Sequence, residues 1–519
     1  MCEEQVITDR NDSRQHLSVS NQWHILAMLL WVGSLFLLGH KPVHLDEANF
    51  LAMTQGDWWA PHNILINWEG TQQRAFDVLS NPPGVVWWLW PVKDASIGVQ
   101  RAWMLPWVLV SLWGLWRLLL QMQVSIWGMW LFVFSPLFAI SHNSLMPEMP
   151  LFACIVVGWQ GLLRERNLFR WSLILGSSAL FRYSGLTMIP LLIAWVLLQR
   201  PNKGGQAIVG VLVPTILLCI HDLWVYQSWH FWQMIAFQQA QGSWYALGHK
   251  GLSFISMLVL GLGVIPSLEV RWVWVIGSVV ATTILVYCLD IPMNHLGWIS
   301  VPLGMLLIRQ VLVDYWVRKQ LWVLCWIVGG LVFLCSLRFA ATRYWMPFVL
   351  PYLVLWNPVR TWHYAWMLCL GFISVHLVWD DAQLAQKQHQ LVEQVQSYCQ
   401  EKYHQSTGYF AGHWGWQFAM EQHGWKAIDD DLIIPNNVCY SYSIRSWPQS
   451  HGVECLEDKR IFSVEYQSLF LPIRIHTAEG YANYHSYMIS AEPPIHTITP
   501  YGWGNDDWDQ AIFVRFCRP

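Results

Sequence analysis

The 519-residue sequence is 55% hydrophobic and only 12% charged, with 38 tryptophans, and its mean hydropathy is +0.31. Because soluble domains carry about 25% charged residues, this composition excludes an ordinary soluble protein and predicts a membrane protein. The formal net charge of −3 supplies no basic field for nucleic acid, so no nucleic-acid partner is expected.

Apolar stretches of helical length recur along residues 23–379. They predict a mostly α-helical, polytopic transmembrane bundle of about thirteen helices, since a span needs roughly 20 apolar residues. The first stretch is expected to remain as a helix, because no small-residue cleavage site of a signal peptide follows it. The segments fall at about 23–39, 103–121, 124–141, 148–163, 168–181, 184–199, 206–228, 254–267, 271–289, 295–310, 321–336, 344–357 and 361–379.

The distribution of lysine and arginine predicts the orientation in the plasma (inner) membrane. With residues 1–22 as a cytoplasmic tail, thirteen basic residues fall on the cytoplasmic side and eight on the other, as the positive-inside rule requires. An odd number of helices then places residues 380–519 outside, together with the loop 40–101. A helical run followed by short segments rich in Gly, Pro and Asn predicts a soluble α/β domain there.

Four cysteines lie in the C-terminal part, namely Cys399, Cys439, Cys455 and Cys517. Four cysteines allow three sets of two disulfides, and their spacing does not choose among these sets. The cysteines before residue 380 lie mostly in apolar stretches. A thiol in such a stretch is usually a small buried hydrophobic group.

The strongest local feature is the acidic pair Asp46 and Glu47, just past the first apolar segment. Adjacent carboxylates at a membrane surface repel each other, and this repulsion favours one of them as a proton acceptor. Transfer of a sugar to a hydroxyl needs such a base, since the hydroxyl loses its proton. Alternatively, Asp46 caps a helix that begins at Glu47 and is stabilised by the helix dipole. The spacing alone does not decide between these two roles.

Short motifs follow the acidic pair in a fixed order along residues 23–360. They are Asp46-Glu47-Ala48, Gly56-Asp57-Trp58, Pro61-His62, Asn81-Pro82-Pro83, Trp87-Trp88, Ser135-Pro136-Leu137-Phe138, Met146-Pro147-Glu148 and Arg343-Tyr344-Trp345-Met346-Pro347. In this order they resemble the protein-mannosyltransferase and aminoarabinose-transferase superfamily, whose members are GT-C-type enzymes that use polyprenyl-phosphate sugars. The resemblance implies that Asp46, Glu47 and Glu148 are catalytic.

Cations on the outer face are expected to bind the donor phosphate, whose charge grows as it leaves. The predicted substrate-binding residues are Arg343, Tyr344, Lys250, His249, Arg182 and Asn81. Asn81 stands where members of the superfamily often have lysine, and Arg182 could supply the missing charge. For the arginines the alternative role is that of interfacial anchors, and His249 could be an ordinary surface histidine. The cofactor that these acids suggest is a divalent cation, Mg²⁺ or Mn²⁺, held by the oxygens of Asp46 and Glu148.

These observations predict a membrane hexosyl- or pentosyltransferase. It would move a sugar, with inversion, from a polyprenyl-phosphate donor to an extracytoplasmic acceptor, which could be a lipid, a glycan or a protein. The alternative is a transporter or flippase for lipid-linked saccharides, which would also place charges at membrane depth. Transporters usually have repeated halves, and this sequence shows no such repeat. The residues do not identify the sugar or the acceptor.

Overall fold

The computed structural model describes residues 23–68, 71–164, 167–200, 204–239, 244–265, 272–290, 293–337, 341–356, 361–412, 414–428, 437–443, 459–464, 469–477, 482–483, 485, 499–503 and 510–516. The cytoplasmic tail predicted for residues 1–22 lies outside these described residues, as do Cys455 and Cys517.

The first two thirds of the described chain are helical. The α-helices there are α1 (Trp23–Leu38), α2 (Glu47–Thr54), α3 (Ala75–Val78), α4 (Gly84–Leu89), α5 (Ile97–Gln121), α6 (Trp127–Phe134), α7 (Pro136–Ser141), α8 (Glu148–Leu162), α9 (Leu168–Gly176), α10 (Ser178–Phe181), α11 (Met188–Gln199), α12 (Gly205–Tyr226), α13 (His230–Gln239), α14 (Trp244–Leu262), α15 (Trp272–Cys288), α16 (His295–Val317), α17 (Leu321–Ser336) and α18 (Leu350–Leu355). Short 3₁₀ helices lie at Pro61–Asn63, Trp90–Val92, Tyr183–Thr187 and Thr342–Phe348, and a hairpin joins β1 (Leu65–Trp68) to β2 (Thr71–Arg74).

Four helices in the described part are long and apolar enough to cross a membrane, namely α5, α12, α16 and α19 (Thr361–Tyr403), and shorter apolar helices accompany them. This is the composition of a membrane helical protein. Several predicted segments are interrupted. The segment predicted at 124–141 breaks between α6 and α7, where Pro136 begins a new helix and the Ser135 hydroxyl accepts a hydrogen bond from the Phe138 N–H. The number of thirteen spans therefore stays a prediction.

Helix α8 lies at the centre of this bundle, and all of its residues are buried. It packs against α5 and α9 at positions where glycine removes a side chain. A Cβ on Gly114 of α5 would lie 2.8 Å from Val156, and one on Gly158 would lie 2.7 Å from Leu175 of α9. Small residues let helices approach closely where lipid supplies no hydrophobic driving force. This packing holds the N-terminus of α8, and with it Glu148, in a fixed position.

The C-terminal region has its own core and sheet. Its elements after α19 are β3 (Tyr409–Ala411), α20 (Trp414–Gln422), β4 (Lys426–Ala427), β5 (Val438–Ser443), β6 (Lys459–Ser463), β7 (Ile473–Arg474), β8 (His476–Thr477), β9 (Ala482–Asn483), β10 (Gly502–Trp503) and β11 (Gln510–Phe516). A five-stranded sheet has the order β4-β3-β5-β11-β6, with β3 parallel to β4 and β5 and with β11 antiparallel to β5 and β6. Helix and sheet therefore alternate here around a separate hydrophobic cluster.

Helix α19 connects the two parts. It is 43 residues long and begins as an apolar helix, then continues into the C-terminal core. The domain boundary predicted between residues 379 and 380 thus falls inside one continuous helix. A disulfide joins Cys399 near the end of this helix to Cys439 of β5. Of the pairings left open by the sequence, the structure contains the one that cross-links the helix to the sheet.

Candidate active site

The acidic pair lies at a sharp turn just before α2. Leu45 has φ = +54°, a left-handed conformation that costs a non-glycine residue about 1–2 kcal/mol. The turn separates the side chains of the two consecutive acids. Glu47 is buried with 2% of its side chain exposed, whereas 26% of the Asp46 side chain is exposed. The two carboxylates therefore have different surroundings and different partners.

Glu47 is held by a buried network. Its carboxylate accepts hydrogen bonds from both terminal nitrogens of Arg101, at 3.0 Å and 2.7 Å, and from the backbone N–H groups of His44 and Leu145, each at 3.0 Å. Arg101 also donates to the carbonyl of Asn143 at 2.7 Å. This network ties the first loop to α5 and to the turn before α8. Because four hydrogen bonds already reach its carboxylate, we expect Glu47 to act as a structural anchor, and its catalytic role stays a prediction.

A second chain of charges runs through Asp46, Arg343, Glu148 and Arg182. Arg343 Nη2 donates to Asp46 Oδ2 at 3.0 Å, and Arg343 Nε lies 3.6 Å from Glu148 Oε1. Arg182 Nη1 donates to the same oxygen of Glu148. Burial opposes the charge on Arg343, but Asp46, Tyr344 and Glu148 together outweigh it and raise the pKa of the guanidinium. Two acids that are 102 residues apart in sequence thus share one arginine.

Tyr344 completes this cluster. Its ring centroid lies 4.3 Å from the guanidinium carbon of Arg182 and 5.7 Å from that of Arg343. Cations at such distances are attracted to the face of an aromatic ring. Tyr344 therefore helps to hold two positive groups next to each other, in spite of their mutual repulsion.

The cluster borders a cavity with an empty volume of about 330 Å³, part of which is open to solvent. The residues that line it come from the first loop and the start of α2, from α7, from the turn before α8 and its first residue, from the 3₁₀ helix Thr342–Phe348 and from the C-terminal region. They are Lys41, His44, Leu45, Glu47, Ile140, Ser141, Ser144, Met146, Glu148, Arg343 and His485. The cavity is therefore bounded by acidic, basic and imidazole groups, most of them buried.

Three predicted phosphate-binding residues do not join this cluster. Lys250 donates to the carbonyl of Leu337 at 2.7 Å, and His249 Nε2 lies 3.3 Å from the carbonyl of Leu289. Asn81 contributes its backbone carbonyl to His62 Nε2 at 3.0 Å. None of the three is among the residues that line the cavity. Their assignment to the donor site stays a prediction, and their described contacts attach them to other helices and to the first loop.

Sequence reasoning missed Arg101 and a group of residues around Asp381. Arg101 lies in the first turns of an apolar helix, where a charge is expensive and needs a partner, and this signal could have identified it. Asp381 accepts hydrogen bonds from His485 Nε2 at 2.7 Å and from Lys41, and His44 Nε2 lies 3.7 Å away. Burial lowers the pKa of His485, although Asp381 opposes the shift. This second cluster lies next to the first, since three of its members line the same cavity.

The predicted Mg²⁺ or Mn²⁺ site between Asp46 and Glu148 does not fit these contacts. Each carboxylate lies against guanidinium groups, and their positive charge disfavours a cation in the same place. In the described part of the chain, the group of side chains with metal-ligand geometry is instead His44, Asp381 and His485.

Comparisons with known proteins leave the function to be argued from this geometry. Neither the family models nor the curated proteins match the sequence. Among solved structures, a cryo-EM structure of the arabinofuranosyltransferase AftD from Mycobacteria is similar, with a TM-score of 0.37 and 12% identity. The similarity covers 79% of this chain and 32% of AftD, so this chain spans about a third of that protein's length. A TM-score at this level does not establish a common fold.

Replacement of Glu47 by glutamine should lower the free energy of unfolding by about 3–5 kcal/mol, because it leaves the buried charge of Arg101 without its counter-charge. Thermal unfolding of the purified protein in detergent measures the change. The exposed pair Arg74 and Asp77 provides a matched control, and Asp77→Asn should cost less than about 1 kcal/mol. Equal losses in the two variants would contradict the anchoring role of Glu47.

Proposed function

We propose that this protein is a membrane glycosyltransferase that moves a sugar from a polyprenyl-phosphate donor to an extracytoplasmic acceptor. The observation that carries the proposal is the charge chain Asp46–Arg343–Glu148–Arg182 beside a cavity. It supplies the two things that the reaction requires, namely a carboxylate that can take a proton and cations for a leaving phosphate.

Asp46 is the proposed base. It is the more exposed of the two neighbouring acids, and it accepts a hydrogen bond from the side chain of Arg343. Glu47 is unsuited to this role because Arg101 and two backbone N–H groups already hold its carboxylate. In the transfer, the acceptor hydroxyl would give its proton to Asp46 as its oxygen bonds to the anomeric carbon.

Arg343 and Arg182 are the proposed phosphate ligands. As the bond from the anomeric carbon to the phosphate oxygen breaks, its electron pair goes to the phosphate, and fixed cations stabilise that charge. Arginine suits this task because its planar guanidinium group can donate two parallel hydrogen bonds to phosphate oxygens. Arg343 Nε is buried and lies 3.6 Å from Glu148 Oε1, an ion-pair distance that is too long for a hydrogen bond, and it makes no hydrogen bond to a described residue. A buried donor without a hydrogen bond costs about 1–3 kcal/mol, and a phosphate oxygen would supply that bond.

Glu148 is a proposed positioning residue. It lies in the first turn of α8, where a carboxylate is favoured by the helix dipole, and it contacts both arginines. It would hold the two guanidinium groups side by side at the cavity. If the acceptor oxygen attacks from the side opposite to the phosphate, a single displacement would invert the anomeric centre.

The proposed location is a membrane with the cavity and the C-terminal region outside the cytoplasm. The apolar helices support a location in the membrane, and the Lys/Arg distribution supports the proposed orientation. The Cys399–Cys439 disulfide supports it independently, because disulfides persist in oxidising compartments and are rare in the cytosol.

Asp46→Asn should reduce transfer by roughly 10²-fold or more, the scale of losing a general base, while the fold remains intact. Transfer is measured by mass spectrometry as the addition of one sugar to surface glycans in cells that produce each variant. The control is Asp94→Asn, since Asp94 is an exposed acid in the same loop and should be dispensable. Full transfer by Asp46→Asn would exclude Asp46 as the base, and full transfer by both Asp46→Asn and Arg343→Lys would contradict the proposed mechanism.

Arg343→Lys keeps the positive charge but loses the guanidinium group that can donate two hydrogen bonds to one phosphate. The kcat should therefore fall roughly 10²-fold, with a smaller change in the KM for the donor. The reason is that the phosphate carries more charge in the transition state than in the bound donor. Single-turnover and steady-state assays in detergent with a lipid-linked donor separate the two constants. Arg74→Lys, at an exposed arginine, should behave as wild type. Wild-type turnover in Arg343→Lys would instead assign Arg343 to interfacial anchoring.

The orientation predicts opposite signals from two reporter fusions. A reporter that is active only outside the cytoplasm should be active when fused after residue 519 and inactive when fused at residue 167, in the turn after α8. In the same cells, Cys399 and Cys439 should resist alkylation until a reductant is added. A cytoplasmic signal after residue 519 would overturn the proposed location and, with it, the access of an extracytoplasmic acceptor.

A further inference from the structure

Three buried side chains that the proposed transfer does not use converge from distant parts of the chain. His44 comes from the first loop, Asp381 from α19 and His485 from the C-terminal region, and all three are buried. One ligand atom from each, an imidazole nitrogen or a carboxylate oxygen, lies within 4.8 Å of the others. Such convergence of three metal-binding groups requires an explanation, because each of them loses hydration when it is buried.

The distances within this group are close to those of a metal site. Asp381 Oδ1 lies 2.7 Å from His485 Nε2 and 3.7 Å from His44 Nε2. In a tetrahedral zinc site with bonds of about 2.0–2.1 Å, neighbouring ligand atoms are about 3.3 Å apart. The two distances to Asp381 bracket this value, and the two imidazole nitrogens lie within 4.8 Å of each other, so side-chain rotations would bring the three atoms onto one ion.

We propose that His44, Asp381 and His485 bind a divalent transition-metal ion of the zinc class. Two imidazoles and one carboxylate form a donor set that zinc accepts with a fourth position left for water or substrate. The imidazoles also select against Mg²⁺ and Ca²⁺, which take oxygen ligands. This binding does not depend on the proposed sugar transfer and differs from it in residues and in readout.

Lys41 is the main competitor for the ion, because its ammonium group also pairs with Asp381. It contacts the other carboxylate oxygen, Oδ2, whereas both imidazoles face Oδ1. A metal on Oδ1 can therefore coexist with Lys41 on Oδ2. Ligating carboxylates commonly have such an outer partner, which orients them. Without a metal, the same four groups would form a hydrogen-bonded ion network, and this is the alternative that the experiment must exclude.

The position of the site gives the ion two effects. His44 and His485 line the cavity that Glu148 and Arg343 also line, so the fourth ligand position faces the space where an anionic group would lie. The three ligands also join the first loop, α19 and the C-terminal region. Because the ion would bind the folded arrangement and not its separated parts, it should raise the temperature of unfolding.

The test measures zinc in the full chain, purified in detergent, stripped with a chelator, incubated with Zn²⁺ and freed of excess ion. Wild type should retain about one Zn²⁺ per chain and unfold at a higher temperature with Zn²⁺ than without it. His485→Gln and Asp381→Asn should each lose the ion and the shift. His376→Gln is the matched control, since His376 is a buried histidine of α19 that contacts the C-terminal region through Ile473, and it should keep both.

Further measurements separate a failed fold from a failed proposal. Co²⁺ in place of Zn²⁺ should give the visible absorption of a tetrahedral site with nitrogen ligands in wild type and His376→Gln, and none in His485→Gln. Glu148→Gln should keep the metal, although the proposed function expects it to lose transfer. Zinc retained by His485→Gln, zinc lost equally from Glu148→Gln, or no zinc in wild type would each overturn the assignment. Each of these results is independent of the sugar donor.

Discussion

The buried ion pair between Glu47 and Arg101 is the constraint on which the arrangement of the cavity depends. Both side chains are almost fully buried, and a charge in that position is tolerated only when it is paired and hydrogen-bonded. The pair joins residues 54 positions apart and also fixes the backbone of the turn before α8 through Leu145. With the first loop held in this way, the neighbouring Asp46 is directed towards Arg343.

The same need to pair buried charges explains the row of charged residues Asp46, Arg343, Glu148 and Arg182. Asp46 and Glu148 share Arg343, and Glu148 also pairs with Arg182. Two acids and two arginines balance each other, so the cluster can be buried without a net charge. A ligand phosphate would exchange places with a carboxylate around guanidinium groups that are already assembled. Such preorganised cations are the kind that stabilise a developing charge at little reorganisation cost.

Charged residues with specific partners also occur on helix α19, beyond the apolar bundle. Its two consecutive aspartates have separate partners, since Asp380 accepts a hydrogen bond from the N–H of Ile475 at 2.8 Å and Asp381 binds Lys41 and His485. Through them the C-terminal region is attached to the first loop at the edge of the cavity. A region that reads as a separate soluble domain in sequence therefore supplies part of the cavity wall.

The sequence by itself determined that the chain is a helical membrane protein, because transfer into lipid depends on local composition. The charged residues at segment ends also indicated Asp46, Glu148, Arg182 and Arg343 as candidate functional residues, since charged groups at membrane depth usually have a function. It did not determine their partners. Asp46 and Arg343 are 297 residues apart, so only helix packing decides that they meet. The turn at Leu45 likewise separates Asp46 from Glu47, and the long-range contacts of His485 depend on how the C-terminal region packs against α19. Partners are set by three-dimensional proximity, which local sequence patterns do not encode.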